Sequence, residues 1–141
     1  MLEHDAHDRE VTQSYFQNVE SKTEITFLTY SHEVIPFLNT TARKPCLIVL
    51  RINALPDTGL EVLRQIKTNI SFKHIPVIIL GESTMPDWVN RCYAAGANTV
   101  INKPSTVELT GIKIDTFIKY WFHVAELSDG VTLDNDAALL N

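Results

Sequence analysis

The sequence lacks most of the features expected of a secreted, membrane or zinc-binding protein. It has two cysteines, Cys46 and Cys92, whose spacing suggests neither a zinc site nor a disulfide framework. No apolar run approaches the roughly 20 residues that a membrane helix requires. Met1-Leu2 leads directly into Glu3-His4-Asp5, so the pattern of a signal peptide is missing. We therefore expect a protein of the reducing cytoplasm, with no metal and no membrane contact.

The sequence also lacks an excess of basic residues. Its 12 lysines and arginines are outnumbered by 17 aspartates and glutamates, which gives a formal net charge of −5. That balance disfavours a general binder of nucleic acid or of anionic membranes. Hydrophobic residues make up 45% and charged residues 21% of the chain, as in ordinary globular proteins. A chain of 141 residues suits one domain with a substantial core.

Strand-like and helical patterns alternate along the chain. Runs of aliphatic, β-branched or aromatic residues predict four strands, at Glu24–Tyr30, 46–51, Ile75–Leu80 and Thr99–Asn102. Periodicity and capping signals predict five helices. The first has Val11, Tyr15 and Val19 on one face, the second lies within Ser31–Asn39, and the third starts near Gly59. The fourth begins with a Thr84–Asp87 capping box and ends at Gly96, and the fifth begins with a Ser105–Glu108 capping box. Pro36 should make the second helix short or late to start. This alternation predicts a parallel sheet with right-handed crossovers.

The last helix carries an apolar stripe and a cluster of aromatic residues. The stripe consists of Ile114, Phe117, Ile118, Trp121 and Ala125. The consecutive residues Tyr120, Trp121 and Phe122 cannot all face one core, so Tyr120 or Phe122 should project elsewhere. That side chain either contributes to a dimer or partner surface or shields the end of the helix. Residues 128–141 are mostly polar and acidic, and we expect a loosely held tail after a domain at 1–127.

Arg51 is the residue that most constrains function. It follows the apolar run Cys46–Leu50, which reads as a strand buried on both faces, and it precedes a turn-rich stretch at 53–59. The carboxyl ends of such strands open into the crevice where α/β sheets bind their ligands. A guanidinium is always charged there and can be neither a nucleophile nor a metal ligand.

Several segments, in order and spacing, resemble the receiver domain of response regulators. They are Pro45–Asn53, Gly59–Leu63, His74–Leu80, Ala95–Asn98 and Asn102-Lys103-Pro104. The long last helix with its aromatic cluster is most similar to the stand-alone receivers that partner phytochromes. The resemblance covers roughly residues 3 to 127. It implies an α/β, flavodoxin-like, doubly wound parallel sheet of strand order 2-1-3-4-5.

That strand order places the first strand at the centre of the sheet, and only Met1-Leu2 remains before the first helix to supply it. An empty central position would leave buried backbone groups unpaired. The first strand is therefore either truncated or replaced by another segment, and Val131-Thr132-Leu133 is the spare β-prone stretch.

The resemblance also implies a phosphorylation site, from which this chain departs. In the family an aspartate at the third strand end is phosphorylated, two acidic residues help to bind magnesium, and a threonine or serine and a lysine contact the phosphoryl group. By this resemblance Arg51 stands at the phosphorylated aspartate, Glu3 and His4 at the two acidic residues, and Gly81 at the threonine or serine. Lys103-Pro104 matches the lysine and the proline that follows it. Val100 stands at the family's switching aromatic, and Asn53 at the residue whose backbone carbonyl helps to hold magnesium. Arg51 therefore occupies the phosphoacceptor position, and the switch hydroxyl is missing at Gly81.

Two interpretations of this crevice remain open. Arg51 either pairs with Glu3 in a pseudo-active site or reaches solvent at a drifted strand end. Lys103 and Arg51 repel one another unless an anion or Glu3 lies between them, so the crevice either binds a small anion or leaves Lys103 in solvent.

We expect an atypical receiver of a two-component phosphorelay that cannot use aspartyl phosphorylation and acts through protein–protein interaction. It should need no cofactor and have no enzymatic activity. Its partner would be a sensor kinase or photoreceptor. A homodimer could form through the last helix, with Val100, Phe117, Tyr120, Trp121 and Phe122 as the interface. Two alternatives remain: a phosphate-switched receiver whose acceptor has moved to Asp57 or Glu3, and, less favoured, a small enzyme on the same scaffold.

Overall fold

A computed structural model of the chain describes residues 1–20, 22–52, 58–82 and 84–129. The predictions made for Asn53, for Asp57 and for a strand at Val131-Thr132-Leu133 lie outside these residues. Most of the predicted tail at 128–141 lies outside them as well.

The described residues form a parallel sheet flanked by helices. Its three regular strands are β1 (Ile48–Ile52), β2 (Val77–Gly81) and β3 (Thr99–Asn102), in the order β1-β2-β3. The helices are α1 (Ala6–Val19), α2 (Val34–Thr40), α3 (Thr58–Thr68), α4 (Pro86–Ala94) and α5 (Val107–Ile118), and a π-helical segment at Lys119–Val124 continues α5. A flavodoxin-like α/β architecture is therefore confirmed.

β1 and β2 are mostly apolar on both faces because helices cover both sides of the sheet. On one side, Leu50, Val77 and Ile79 join a buried cluster that includes residues of α2, α3 and α4. On the other side lie Ile78 and the helices α1 and α5. The paired residues Arg51 and Leu80 mark the carboxyl end of the sheet, where the loops before α3 and α4 begin.

Met1–Glu3 lie beside β1 in the position of a further strand. Leu2 forms parallel bridges with both Leu50 and Leu28. Its N–H donates to the Val49 carbonyl (2.9 Å), and its own carbonyl accepts from the Arg51 N–H (3.1 Å). These few residues therefore link the Leu28 segment to the regular sheet.

The predicted strand at Glu24–Tyr30 is wrong as a regular strand. Only Leu28 forms a β-bridge in that segment, and its partner is Leu2. The other three predicted strands are present, with boundaries shifted by up to two residues.

Several helix signals were misplaced. Thr84 and Asp87 do not form the predicted capping box: α4 begins after Met85, which makes no side-chain capping bond, and Pro86 takes the first helical position. The last helix is capped by the Thr106 side chain, which accepts from the Leu109 N–H, rather than by Ser105.

Other helix predictions hold, and one buried residue was missed. Pro36 lies in the first turn of α2, which follows a 3₁₀ turn at Ser31–Glu33, so the predicted late start is confirmed. Gly96 follows α4 with φ 108°, a conformation that favours glycine after a helix. In α1 the buried residue is Phe16, whereas Val19 is 51% exposed.

Candidate functional site

Arg51 lies at the centre of a cluster of charged side chains at the carboxyl end of the sheet. It is the fourth residue of β1, and its side chain is only 7% exposed. Nη1 donates hydrogen bonds to Glu3 Oε1 and to Asp8 Oδ2, both at 2.6 Å, and Nη2 donates to Glu82 Oε1 at 2.8 Å. Three carboxylates therefore surround one guanidinium, and we call these residues with Lys103 the strand-end cluster.

Glu3 is the most deeply buried carboxylate of this cluster, at 1% exposure. The bridges of Leu2 fix its position beside β1, so its side chain points over the strand end. Besides Arg51, its Oε1 accepts from the backbone N–H of Asp5 at 2.9 Å. A buried carboxylate is tolerated only when it is paired in this way.

Asp8 joins the two cations of the cluster. Its Oδ2 accepts from Arg51 Nη1 and from Lys103 Nζ, each at 2.6 Å. The N-cap residue Asp5 accepts from the Asp8 N–H and so fixes the first turn of α1 over the strand ends. The predicted anion between Arg51 and Lys103 is thus supplied by Asp8, which the sequence analysis had not assigned to the site.

The electrostatics favour the charged state of these groups. Burial alone would lower the pKa of Arg51, but hydrogen bonds to Glu82 and Glu3, together with the charges of Glu3 and Asp8, raise that pKa above its usual value. The pKa of the Asp5 carboxyl is lowered chiefly by the hydrogen bond from the Asp8 N–H. Both shifts favour the charged forms of Arg51 and Asp5.

Gly81 is constrained by the packing of Trp88. A Cβ atom built on Gly81 would lie 2.1 Å from Trp88 Cη2, and no real contact is that short. The indole is 7% exposed and fills the space beside the end of β2. A side chain with a hydroxyl group at this position would have to displace the ring.

The remaining predicted site residues lie nearby with different degrees of involvement. His4 is exposed, with its Nδ1 3.9 Å from Glu3 Oε1, so it contributes little to the cluster. Pro104 lines the same cavity as Lys103 on the α1 side of the sheet. Among the described residues, two buried side-chain atoms have no hydrogen-bond partner, Arg51 Nε and Asn102 Oδ1.

Glu82 was also missed, although its position carried a signal. It directly follows the second buried strand, and the carboxyl ends of neighbouring parallel strands meet at one edge of the sheet. Asp8 carried a weaker signal, because its distance from Arg51 depends on how α1 crosses the strand ends.

The aromatic residues near the end of the last helix face in two directions. Phe122 packs edge-on against Phe16 of α1, with ring centroids 5.9 Å apart. Tyr120 is 51% exposed and contacts Trp121. Tyr120 therefore projects outward, and it is one of several exposed apolar residues on this part of the chain: Val107, Leu109, Ile112, Tyr120 and Val124.

Two features are absent from the part of the chain that the structure describes. None of its helices is long and apolar enough to span a membrane. Within the same residues, no group of three or more histidine, cysteine, aspartate or glutamate side chains is arranged to hold a metal ion.

A parallel sheet covered by helices, with charged side chains gathered at its carboxyl edge, defines a flavodoxin-like domain. No protein-family model matches the chain. Two-component response regulator ARR17 of Arabidopsis thaliana is 38% identical over 47 residues, which are 33% of this chain and 31% of that protein. The probable methanogenesis regulatory protein FilR2 of Methanothrix harundinacea is 31% identical over 77 residues, 55% of this chain and 50% of that protein. These matches thus span a third to a half of the relatives' own lengths.

Solved structures match over most of the chain. The phosphorylated cyanobacterial phytochrome response regulator RcpA has a TM-score of 0.81 and 25% identity, covering 89% of this chain and 94% of that one. The Mn²⁺-bound response regulator Rcp1 also has a TM-score of 0.81, with 24% identity over 90% of this chain and 95% of that one. The relatives and solved structures that match this chain are thus response regulators and receiver domains of two-component signalling, phytochrome response regulators among them, and the chain has their fold.

Proposed function

We propose that this receiver domain acts through protein–protein interaction and is not switched by aspartyl phosphorylation. The charge of its strand-end cluster would stay the same during signalling. The observation that carries the proposal is Arg51 paired with Glu3, Asp8 and Glu82 at the position that corresponds to the family's phosphoacceptor. A guanidinium has five N–H donors and no acceptor, so it cannot take a phosphoryl group.

The carboxylates of the cluster do not fit a divalent cation as they are arranged. Magnesium binds hard oxygen ligands in near-octahedral geometry. Here the carboxylates of Glu3 and Asp8 each lie 2.6 Å from the Arg51 guanidinium, which fills the space between them. A second, divalent cation would have to displace that fixed charge. This argues against magnesium-assisted phosphorylation at the strand end.

Asp8 and Trp88 support the same proposal. Asp8 already supplies the negative charge that lies between Arg51 and Lys103, so these cations need no external phosphate for neutralisation. Trp88 fills the space in which a hydroxyl-bearing side chain at position 81 would lie. Neither of these two features depends on Arg51 occupying the family's phosphoacceptor position. Arg51, Asp8 and Trp88 therefore each favour a constant state over a phosphate-driven switch.

The proposed partner is a signalling protein such as a sensor kinase or a photoreceptor. RcpA is a phytochrome response regulator, and its structure matches 89% of this chain. We place the protein in the cytoplasm, where Cys46 and Cys92, which form no disulfide, would stay reduced. Binding, not catalysis, would be its activity.

The exposed apolar residues of α5 and the following segment are proposed as the surface of a homodimer. Ile112 is 56% and Tyr120 51% exposed, and aromatic and aliphatic residues are enriched in such interfaces. Sedimentation of an Ile112→Glu variant tests this surface, with Ile70→Glu as the control because Ile70 is 67% exposed after α3. We expect only the first variant to reduce assembly, and unchanged assembly would remove α5 from the proposal.

The lack of phosphorylation is tested by incubation with Mg²⁺ and acetyl phosphate, followed by intact mass measurement. We expect no added phosphoryl group, while an aspartate-bearing receiver treated in parallel gains one. Addition of a phosphoryl group would overturn the proposal and favour the alternative of an acceptor moved to Asp57 or Glu3. An Arg51→Asp variant should still show no magnesium-dependent conformational change, because Trp88 continues to occupy the hydroxyl position.

A further inference from the structure

β3 is the outer strand of the sheet within the described ranges, and one of its two sides has no neighbouring strand there. Lys103, directly after β3, donates its N–H to the Gly81 carbonyl at 2.7 Å, so it faces β2, as does Ile101 two residues earlier. Because orientation alternates along a strand, the N–H and C=O groups of Val100 and Asn102 face away from β2. We call these four backbone groups the outer edge of β3.

Two of the four groups of the outer edge are bonded to side chains. The Val100 N–H donates to the Tyr93 hydroxyl at 3.2 Å, and the Asn102 carbonyl accepts from Lys113 Nζ at 2.7 Å. The Val100 carbonyl and the Asn102 N–H have no partner among the residues that the structure describes. The outer edge therefore offers one free acceptor and one free donor, two residues apart.

The two free groups are complementary to a second copy of themselves. In an antiparallel pair of β3 strands with the two Ile101 residues opposite one another, the Asn102 N–H of each copy donates to the Val100 carbonyl of the other. The partial positive charge of each N–H thus meets the partial negative charge of a carbonyl. The other two bonds of a regular ladder would join the Val100 N–H to the Asn102 carbonyl, and Tyr93 and Lys113 already satisfy those groups.

The bonded groups also disfavour other registers of this strand pair. A two-fold axis at Val100 would use its N–H on both copies, and an axis at Asn102 would use its carbonyl on both. Either axis would break the contacts made by Tyr93 or Lys113. The axis at Ile101 uses the free groups and leaves both contacts intact. Tyr93 and Lys113 therefore specify a register that so short a strand would otherwise leave open.

Apolar side chains flank the outer edge on the α5 side of the sheet. Ile101 lines a groove of about 410 Å³ together with residues of α5 and of the π-helical segment, among them Ile112, Tyr120 and Trp121. In the antiparallel pair the two Ile101 side chains meet at a non-hydrogen-bonded position, where facing side chains approach most closely. The same axis brings the exposed Ile112 and Tyr120 of one copy toward the groove of the other. A second copy therefore supplies both the backbone groups and the apolar surface.

We propose that β3 pairs antiparallel with β3 of a second copy of this chain, across a two-fold axis at Ile101, so that the two sheets become one continuous sheet. Closed two-fold contacts of this kind are the commonest arrangement of homo-oligomers. The inference deepens the proposed homodimer and rests on it: α5 contributes apolar surface, whereas the outer edge of β3 sets the axis and the register.

Two cysteine variants of the full chain test the position of the axis. Ile101→Cys places two thiols at a non-hydrogen-bonded pair, whose Cα atoms lie about 4.5 Å apart, within reach of a disulfide. Thr99→Cys is the matched control on the same face of β3, because its two copies would lie about 13 Å apart at about 3.3 Å per residue. The parent, with Cys46 and Cys92, gives the background.

After mild oxidation, we expect Ile101→Cys to form a crosslinked dimer and Thr99→Cys to form at least about tenfold less, since a disulfide needs Cα atoms within about 7 Å. Equal crosslinking of the two variants would overturn the register.

Two proline variants test the hydrogen bonds of the pair. Asn102→Pro removes the donor that the pair uses, whereas Val100→Pro removes the N–H that the pair leaves to Tyr93. Both N–H groups face away from β2, so neither variant loses a bond of the β2–β3 ladder. In sedimentation, Asn102→Pro should raise the dissociation constant of the dimer at least about tenfold, because two bonds are lost per dimer. Val100→Pro should stay within about threefold of the parent, and equal constants for the two variants would overturn the strand pair.

The remaining outcomes separate this inference from the proposals before it. Assembly that Ile112→Glu removes, without crosslinking at Ile101 or sensitivity to Asn102→Pro, would overturn the strand pair and leave the α5 dimer. A monomeric parent would overturn both. If a valine-rich peptide then slowed amide exchange at Asn102, the edge would take a foreign strand, not a second copy. The acetyl phosphate test is independent of these results, because Arg51 lies in β1, on the other side of β2.

Discussion

The two ends of the backbone position held by Met1–Glu3 differ in how their polar groups are satisfied. At the carboxyl end, Glu3, Asp8 and Glu82 surround Arg51, and Lys103 pairs with Asp8. At the amino end, the Leu47 N–H and C=O and the Val49 N–H have no partner within the described residues, whereas the Val49 carbonyl accepts from the Leu2 N–H. The first end resembles a binding crevice closed by its own side chains, whereas the second presents backbone groups.

This difference reflects the kind of partner that each end needs. Side-chain charges can be neutralised by other side chains from α1 and from loops, as Asp8 and Glu82 neutralise Arg51. Unpaired backbone groups in a row need another row of backbone groups, which only a strand supplies. Ligand binding at the carboxyl end would therefore require breaking existing contacts.

Of the changes to the strand-end cluster, removal of Arg51 should lower the stability of the protein most. We expect Arg51→Ala to lower the free energy of unfolding by about 3–5 kcal/mol, because it leaves the buried carboxylate of Glu3 without its cation. Urea denaturation at neutral pH measures this loss. Arg64→Ala is the matched control, since Arg64 is half exposed and lies 4.0 Å from Glu61, and its loss should be below about 1 kcal/mol.

Equal losses in the two arginine variants would mean that the strand-end cluster contributes no more than a surface ion pair. A double-mutant cycle with Glu3→Gln then separates the pairing from the rest of the change. We expect a coupling of about 1–3 kcal/mol between Arg51 and Glu3, as is usual for contacting groups in one network.

The next effect concerns the packing of Trp88 against Gly81. Gly81→Thr should cost about 1–3 kcal/mol, because the added Cβ overlaps the indole at 2.1 Å. Gly111→Ala is the control: its Cβ would lie 2.8 Å from the Tyr15 hydroxyl, the far end of a side chain that can move. Alanine also favours the helix, so the control should be neutral or stabilising. A tolerated Gly81→Thr would show that Trp88 does not block a hydroxyl there.

The sequence predicted the sheet better than it predicted the cluster. Continuous apolar runs located β1 and β2 within two residues, because burial on both faces leaves little other choice, and the half-buried β3 has its predicted bounds. The prediction of a strand at Glu24–Tyr30 failed because a regular strand needs a neighbouring strand to pair with. The β-propensity of a segment carries no information about such a neighbour. The importance of Arg51 and Glu3 could be inferred from their positions, but Asp8 could not, since its contact depends on the path of α1 across the sheet.

Removal of Asp8 should allow an external anion to bind at the strand-end cluster. Asp8→Ala leaves Arg51 and Lys103 without the carboxylate that both contact, so we expect a loss of about 1–2 kcal/mol in unfolding free energy. Added phosphate or sulfate should restore part of that stability by binding between the two cations. Thermal melts of the variant and the parent with and without phosphate measure this, and equal responses would mean that Asp8 does not stand in for an anion.

The smallest effect is the acid sensitivity of Asp5, which caps α1 above the cluster. Hydrogen bonds from the N–H groups of Asp8 and His7 lower the pKa of its carboxyl below the usual value, against the opposing effect of burial. The folded state therefore binds this proton less readily than the unfolded state does. Its contribution to stability is complete above the unfolded pKa and is lost as the pH falls through the folded pKa. Asp5→Asn keeps a capping oxygen but no titrating group, so its stability should fall less than the parent's between pH about 5 and about 2. Parallel acid titrations of the two proteins by circular dichroism measure the difference, and superimposable curves would mean that the charge of Asp5 does not help to hold α1 over the strand ends.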